Sequence, residues 1–203
     1  MDISILGYLL IILSYLVGSL SSAIILCKLA GLPDPRTEGS GNPGATNVMR
    51  IGGKKLAALT LVGDLLKGLI PVVVATLLHQ SALTISLVAV AAFLGHLFPL
   101  FFGFKGGKGV ATALGAILGL NPLVGLCAFG VWIVIFVISK ISSLSALIAA
   151  ISVPFFLYFF NAPLAIVGAV IFMDLFLIYR HKANIQRLLS GEEGKLKAKK
   201  NEK

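Results

Sequence analysis

Charge is what this chain has least of. Asp, Glu, Lys and Arg make up 12% of its 203 residues, and only 8 are acidic against 17 Lys and Arg. Those few carboxylates form no cluster able to hold two magnesium ions, which argues against metal-assisted phosphoryl transfer. Cysteine is nearly absent too: Cys27 and Cys127 fall in or beside apolar runs and read as small packing residues, so no disulfide framework, redox pair or metal site is implied. No Gly-x-Ser-x-Gly nucleophile elbow occurs.

Hydrophobic residues fill the space, at 58% of the chain. A membrane span needs about 20 apolar residues, and such runs fit at 3–27, 56–78, 83–103, 141–160 and 162–179, with a longer block at 110–138. The composition predicts an all-α, polytopic membrane bundle, one domain over residues 1–190. The charge-mixed tail 191–203 is expected to be disordered, attracted to anionic lipid and without chemistry. The first run is too long for a signal-peptide core and lacks preceding positive charge, so it is expected to stay attached with its amino terminus outside. A net charge of +9 could suggest nucleic acid as a partner, but the basic residues lie in short blocks beside the spans and no nucleic-acid motif accompanies them.

Topology explains those blocks. Lys and Arg accumulate in cytoplasmic loops, and here they group as Lys28, Arg36, Arg50, Lys54 and Lys55, then Lys105 and Lys108, then Lys140, then Arg180 onward. The connectors HQSA (79–82) and FNAP (160–163) have none. If residues 110–138 crossed once, Lys140 and the basic tail would end outside. The stretch GLNPLVG (119–125) offers a break, because the residue before a proline leaves helical geometry and Asn and Gly favour turns. Two helices near 110–120 and 122–138 follow, the first too short to span and so partial or re-entrant. The count becomes about seven membrane segments, with the carboxyl terminus cytoplasmic and every polar block on the cytoplasmic face.

Three polar blocks meet there. RTEGSGNPGATNVMR (36–50) has Gly39, Gly41 and Gly44, whose backbone can approach a ligand closely, with Ser40, Asn42, Thr46 and Asn47 as neutral partners and Arg50 as a fork for phosphate. The bland alternative is a turn-rich connector with a capped helix start at Thr46 or Asn47. FKGGKGVATALG (104–115) joins Lys105 and Lys108 to Gly106, Gly107 and Gly109 just before an apolar helix, an arrangement in which backbone N–H groups and a helix amino terminus hold an anion. It is not a Walker A loop: Gly103 to Lys108 is one residue short, and Gly109 stands where Ser or Thr should bind magnesium. Two interfacial Lys anchors on a flexible turn are its alternative.

In YRHKANIQRLL (179–189), His181 and Asn184 share a helix face with Arg180, Lys182 and Arg187 nearby, although a histidine at a membrane surface is ordinarily solvated. Inside the membrane, Asp64 and Lys67 lie one turn apart and Asp174 sits in the last span. Intramembrane charge points to function, and a neutralising pair that orders the bundle explains Asp64 and Lys67 as well.

These blocks, in this order, resemble the bacterial acyl-phosphate:glycerol-3-phosphate acyltransferase family of integral membrane enzymes. The resemblance runs from GSLSSAIILCKL (18–29) to RHKANIQRLLSGEE (180–193), and GSGNPGATN (39–47) and GFKGGKGVATALG (103–115) are specific to it. It implies that an acyl phosphate acylates the first hydroxyl of glycerol 3-phosphate, giving lysophosphatidic acid and phosphate at the start of phospholipid synthesis. Acyl-CoA and acyl carrier protein are not used directly, and no cofactor or metal is implied. The setting is the bacterial cytoplasmic (inner) membrane with the site facing the cytoplasm, and a contact with the enzyme that makes the acyl phosphate is an expectation.

By motif, the resemblance gives Ser40 and Arg50 as essential residues of the first block, Lys105 to Gly109 as the glycerol-phosphate loop, and His181 and Asn184 in the third block. The acidic residue after that block is Glu193 or its neighbour Glu192, and Ser143 is the chosen serine of SSLSA (142–146).

An acyl phosphate is an activated anhydride, so positioning and electrostatics can carry the reaction. On this reading the first-block glycines and Ser40 hold the acyl phosphate, while Lys105, Lys108, Arg50, His181 and Asn184 bind glycerol 3-phosphate. The proton acceptor stays open between His181 and the substrate's own phosphate. The His and Asp pair of soluble-substrate acyltransferases is missing, since Thr84, Phe101 and Gln186 follow five positions after His79, His96 and His181. A rival class is a transporter or channel for a small anion, which also builds sites from broken helices. Against it, no internal repeat is evident and the polar blocks lie on one side.

Overall fold

The computed structural model describes residues 3–194; residues 1–2 and 195–203, which include most of the expected polar tail, lie outside the described residues. Among the described residues there is no strand. The helices are α1 (Ile5–Gly18), α2 (Ser22–Leu29), α3 (Ala45–Leu77), α4 (Ala82–Leu97), α5 (Val110–Leu120), α6 (Pro122–Ser139), α7 (Ser142–Phe159), α8 (Leu164–Arg180) and α9 (Lys182–Leu189), with a 3-10 turn at Leu100–Phe102.

By length and composition, α3, α4 with its trailing turn, α6 and α7 can each cross a membrane, giving 4 spans. The pairs α1–α2 and α8–α9, bent by 43° and 59°, raise the count to 6 if each is one span, and α5 is a shorter apolar helix. The seven expected segments are these plus α5.

The breaks have local causes. The apolar block at 110–138 divides at Asn121, whose extended backbone (φ −154°, ψ 103°) ends α5 and whose Oδ1 accepts from the Val124 N–H at 3.2 Å to cap α6, with Pro122 in the first turn. The run expected at 3–27 is not one helix: α1 stops at Gly18, and the Ser21 hydroxyl caps a new helix by accepting from the Ile24 N–H at 3.5 Å. Further on, α4 ends before Pro99, which cannot continue the backbone ladder. The expected span at 56–78 is the body of α3, which begins earlier, at Ala45, and is interrupted at Gly53.

Packing follows the physics of a hydrocarbon solvent, in which burying a large apolar side chain gains little and helices associate through small residues. Large side chains point outward, among them Ile12 and Leu13 of α1, Leu126 and Val137 of α6 and Phe155 of α7. Inside lie Ala89, Ala92, Ala113 and Ala116. Gly115 rests on the Leu65 carbonyl and Gly68 on the Thr112 carbonyl, so α3 and α5 touch backbone to backbone where any Cβ would collide. The Ser14 hydroxyl donates to the Val88 carbonyl at 2.7 Å and ties α1 to α4.

Charge inside the bundle is paired at one place. The Lys67 ammonium lies 2.8 Å from Asp64 Oδ1 and donates to the Leu20 carbonyl at 2.8 Å. His96 Nδ1 lies 3.7 Å from the same carboxylate oxygen. Asp174 is buried in α8, its Oδ2 without a hydrogen-bond partner among the described residues. Cys27 is buried, Cys127 half-buried, and both are free thiols.

Candidate active site

The loop before α3 is folded by Asn47. Its Nδ2 donates to the carbonyls of Pro35 (2.8 Å) and Glu38 (2.9 Å), and its Oδ1 accepts from the Ser40 N–H at 2.9 Å. Gly39 adopts φ 60°, and a Cβ there would strike Asn47 Oδ1, which is why glycine stands at that turn. The Gly41 N–H goes to the Glu38 carbonyl (3.0 Å) and the Gly44 N–H to the Asn42 carbonyl (2.9 Å). Asn47 and the N–H groups of Gly41 and Gly44, expected to face a ligand, are engaged within the loop itself. Gly44 starts α3 through its backbone, so neither Thr46 nor Asn47 acts as a side-chain cap. The Ser40 and Arg50 side chains stay exposed, and Asn42 is half-buried.

The second block is docked in the same manner. The N–H groups of Gly106 and Gly107 donate to the carbonyls of Leu97 and His96, each at 3.2 Å, at the carboxyl end of α4. From the other side, Arg180 donates through Nη2 to the Gly106 carbonyl (2.8 Å) and through Nε to the Gly107 carbonyl (3.2 Å). Both peptide N–H groups are thus occupied, contrary to the expectation that they cradle an anion. What the loop presents is the exposed Lys105, the half-buried Lys108 and the start of α5 at Gly109 (φ 87°). In the sequence Arg180 is a cation beside His181; its planar fork meets two successive carbonyls once the fold brings them together.

Lys108 connects the second block to the third. Its ammonium donates to Asn184 Oδ1, and Asn184 Nδ2 donates to Glu193 Oε1 at 2.5 Å. Glu193 also accepts from the Ser143 hydroxyl (2.5 Å) and from Arg187 Nε (2.6 Å). Glu192 is exposed and among the described residues accepts from Ser190 alone, so Glu193 is the carboxylate that reaches the cluster. Of the tail expected to be disordered from residue 191, residues 191–194 are described, and Glu193 is held in this cluster. Ser145 returns its hydroxyl to the Ile141 carbonyl at 2.8 Å, and Ser142 lies 3.4 Å from the Thr46 hydroxyl. Each serine of SSLSA thus has a distinct neighbour, and Thr46 brings the first block to α7.

His181 does not sit on a continuous helix with Asn184, as expected, but at the bend between α8 and α9. Both are buried, at 2% and 6% exposed. His181 Nδ1 is 2.8 Å from the Leu177 carbonyl, so Nδ1 carries the proton and a neutral ring leaves the Nε2 lone pair free.

The field here is positive. Burial draws the Lys108 ammonium down to about 8; Glu193 opposes this, while Arg187, Arg50 and Arg180 add to it. Burial raises the Glu193 carboxyl, and the hydrogen bonds from Ser143, Asn184 and Arg187 more than offset that, leaving it below the ordinary value. The helices α3, α5 and α7 all begin at this cluster, with Thr46, Lys108 and Ser143 at or beside their first turns, and helix amino termini favour anions.

Behind the polar cluster an apolar groove runs between α5, α6, α7 and α8. Val110, Ala146 and Leu177 line it near the cluster, and Trp132, Ile117 and Val153 elsewhere. Asp174 also reaches its wall.

The fold is a helical membrane bundle with a cation-rich polar cluster at one end and an apolar groove beside it. The family described as Glycerol-3-phosphate acyltransferase matches residues 8–191. Glycerol-3-phosphate acyltransferase of Thioalkalivibrio sulfidiphilus (strain HL-EbGR7) is 54% identical over 187 residues, covering 92% of this chain and 92% of its own. That of Methylococcus capsulatus (strain ATCC 33009 / NCIMB 11132 / Bath) is 53% identical over 192 residues, covering 95% and 97%. Among solved structures, PlsY (YgiH), an integral membrane glycerol 3-phosphate acyltransferase, in its glycerol 3-phosphate form superposes with a TM-score of 0.91 at 42% identity, covering 94% of this chain and 96% of that one. Its lysophosphatidic acid form gives 0.88 at 41% identity, covering 93% and 94%. The chain belongs to the glycerol-3-phosphate acyltransferase family of integral membrane enzymes.

Proposed function

We propose that this enzyme transfers a fatty acyl group from an acyl phosphate to the sn-1 hydroxyl of glycerol 3-phosphate. The observation that carries this reading is the joining of Lys108, Asn184, Glu193 and Ser143 in a cluster rich in cations, with an apolar groove lined by Val110 and Ala146 close beside Lys108 and Ser143 in the chain. The acyl chain occupies the groove, its phosphate lies near Ser40 and the α3 amino terminus, and the glycerol phosphate pairs with Lys105, Lys108 and Arg50.

The hydroxyl oxygen attacks the acyl carbonyl carbon, a carbon–oxygen ester bond forms, and the carbonyl–phosphate bond breaks with its electron pair leaving on inorganic phosphate. The hydroxyl proton goes to His181 Nε2 or to the departing phosphate. Helix amino termini and cations stabilise the charge that develops, and the apolar surround keeps water from the anhydride. The positive-inside pattern supports an outside amino terminus and a site facing the cytoplasm of the bacterial inner membrane, where the enzyme that makes the acyl phosphate can deliver it.

The test is direct: purified enzyme is given glycerol 3-phosphate with an acyl phosphate, an acyl-CoA or an acyl carrier protein thioester. Lysophosphatidic acid and free phosphate are expected from the first alone, with the acyl group at the sn-1 oxygen. Product from a thioester without acyl phosphate would overturn the donor assignment.

A further inference from the structure

The loop that carries Lys108 rests on a side chain that the reaction does not touch. Gly107 lies directly on the His96 imidazole: a Cβ there would collide with Nε2 and stand 3.0 Å from Cε1 and 3.2 Å from the Pro43 carbonyl. His96 is 8% exposed at the carboxyl end of α4, where its own carbonyl also accepts the Gly107 N–H. The opposite edge of the ring faces α3. Its Nδ1 is 3.7 Å from Asp64 Oδ1, and the carboxylate is fixed by Lys67, which in turn donates to the Leu20 carbonyl beyond α1.

The imidazole thus fills the space between a buried ion pair and the Gly106–Gly107 dipeptide, by which the Lys105–Gly109 loop docks on the end of α4. Arg180 grips that dipeptide from above by its two carbonyls and His96 supports it from below. A shift of a few tenths of an ångström in the ring moves Gly107, and Lys108 is the next residue.

We propose that His96, packed between the buried Asp64–Lys67 pair and Gly107, is a positioning residue that sets the height of the glycerol-phosphate loop and hence the reach of Lys108. The inference rests on the reading of that loop as the site of glycerol 3-phosphate. It gives the intramembrane ion pair a functional consequence: the pair orders the bundle and, through one ring, the substrate site. Because His96 reaches the site through this loop at Gly107, its removal acts on one substrate and not on the other.

The experiment is steady-state kinetics of the full-length enzyme with each substrate varied in turn. His96→Ala is expected to raise the KM for glycerol 3-phosphate about tenfold and to leave the KM for acyl phosphate within about twofold, the pattern of lost binding of one ligand. His96→Asn, which keeps a polar group toward Asp64, is expected to restore most of the loss. Gly107→Ala alone is expected to be impaired, and the double variant His96→Ala/Gly107→Ala to be less impaired than the two losses combined, because removing the ring clears the colliding atoms.

Equal increases in both KM values, or losses that simply multiply in the double variant, would overturn the inference; the latter comparison holds even if each single variant folds less well. Lys108→Met serves as the reference. If it leaves the KM for glycerol 3-phosphate unchanged, the loop reading itself fails. If it raises that KM while His96→Ala does not, only the positioning role fails.

Discussion

Lys108 and Asn184 form the joint between the second and third polar blocks: the ammonium donates to the amide oxygen, and the amide nitrogen passes the contact on to Glu193. Asn184 can do this because a side-chain amide is donor and acceptor at once. Replacing it with Ala leaves a half-buried cation and a half-buried carboxylate each short of a partner, at most about 1.5–3 kcal/mol for a charged hydrogen bond. Asn184→Ala is expected to lower kcat/KM for glycerol 3-phosphate by about 10- to 100-fold, read by steady-state assay. Asn184→Asp places a second carboxylate against Glu193 and is expected to be at least as damaging.

The depressed Lys108 ammonium gives a pH dependence with a definite sign. Below about 8 it is charged and attracts a phosphate dianion; as pH rises through about 8 in the free enzyme the charge is lost. The KM for glycerol 3-phosphate is expected to climb above that pH. In Lys108→Arg the guanidinium stays charged, so the same titration is expected to be flat up to pH 10.

Glu193 closes the site from beyond α9 through three side chains on two other segments, Ser143, Asn184 and Arg187. Deleting residues 191–203 is expected to reduce activity by more than tenfold, whereas deleting 195–203 leaves Glu193 in place and is expected to keep activity within about twofold of the full chain. Comparing the two truncations at equal expression provides the check.

Asn47 holds three hydrogen bonds inside the first loop. Asn47→Asp keeps the acceptor for Ser40 but removes both donors, leaving the Pro35 and Glu38 carbonyls unpaired at about 1–3 kcal/mol each where buried. Limited proteolysis is expected to cut the variant within residues 35–44 under conditions that spare the wild type, with a parallel loss of activity.

The bundle was legible in the sequence because hydropathy and turn chemistry are local. Asn121 and Pro122 declare a helix break whatever surrounds them, and α5 and α6 lie where that dipeptide puts them. The gathering of Ser40, Lys108, His181 and Asn184 at one end followed from the distribution of Lys and Arg. The use of the glycines was not legible. Composition says that Gly106 and Gly107 can approach another backbone closely, but only the packed structure reveals that their N–H groups meet the end of α4. Likewise Arg180 reads as one more cation in a basic stretch until the fold brings it against two carbonyls.

The meeting of three helix starts sets a limit on how far the site can be damaged or evaded. The partial charge at the first turns of α3, α5 and α7 belongs to peptide bonds, so no point substitution that keeps the helices can remove it. Single side-chain losses should therefore leave a residual, salt-sensitive affinity for phosphate. An inhibitor that places its anion on these helix ends, and little weight on Lys108 or Arg50, would offer resistance mutations few positions at which to act.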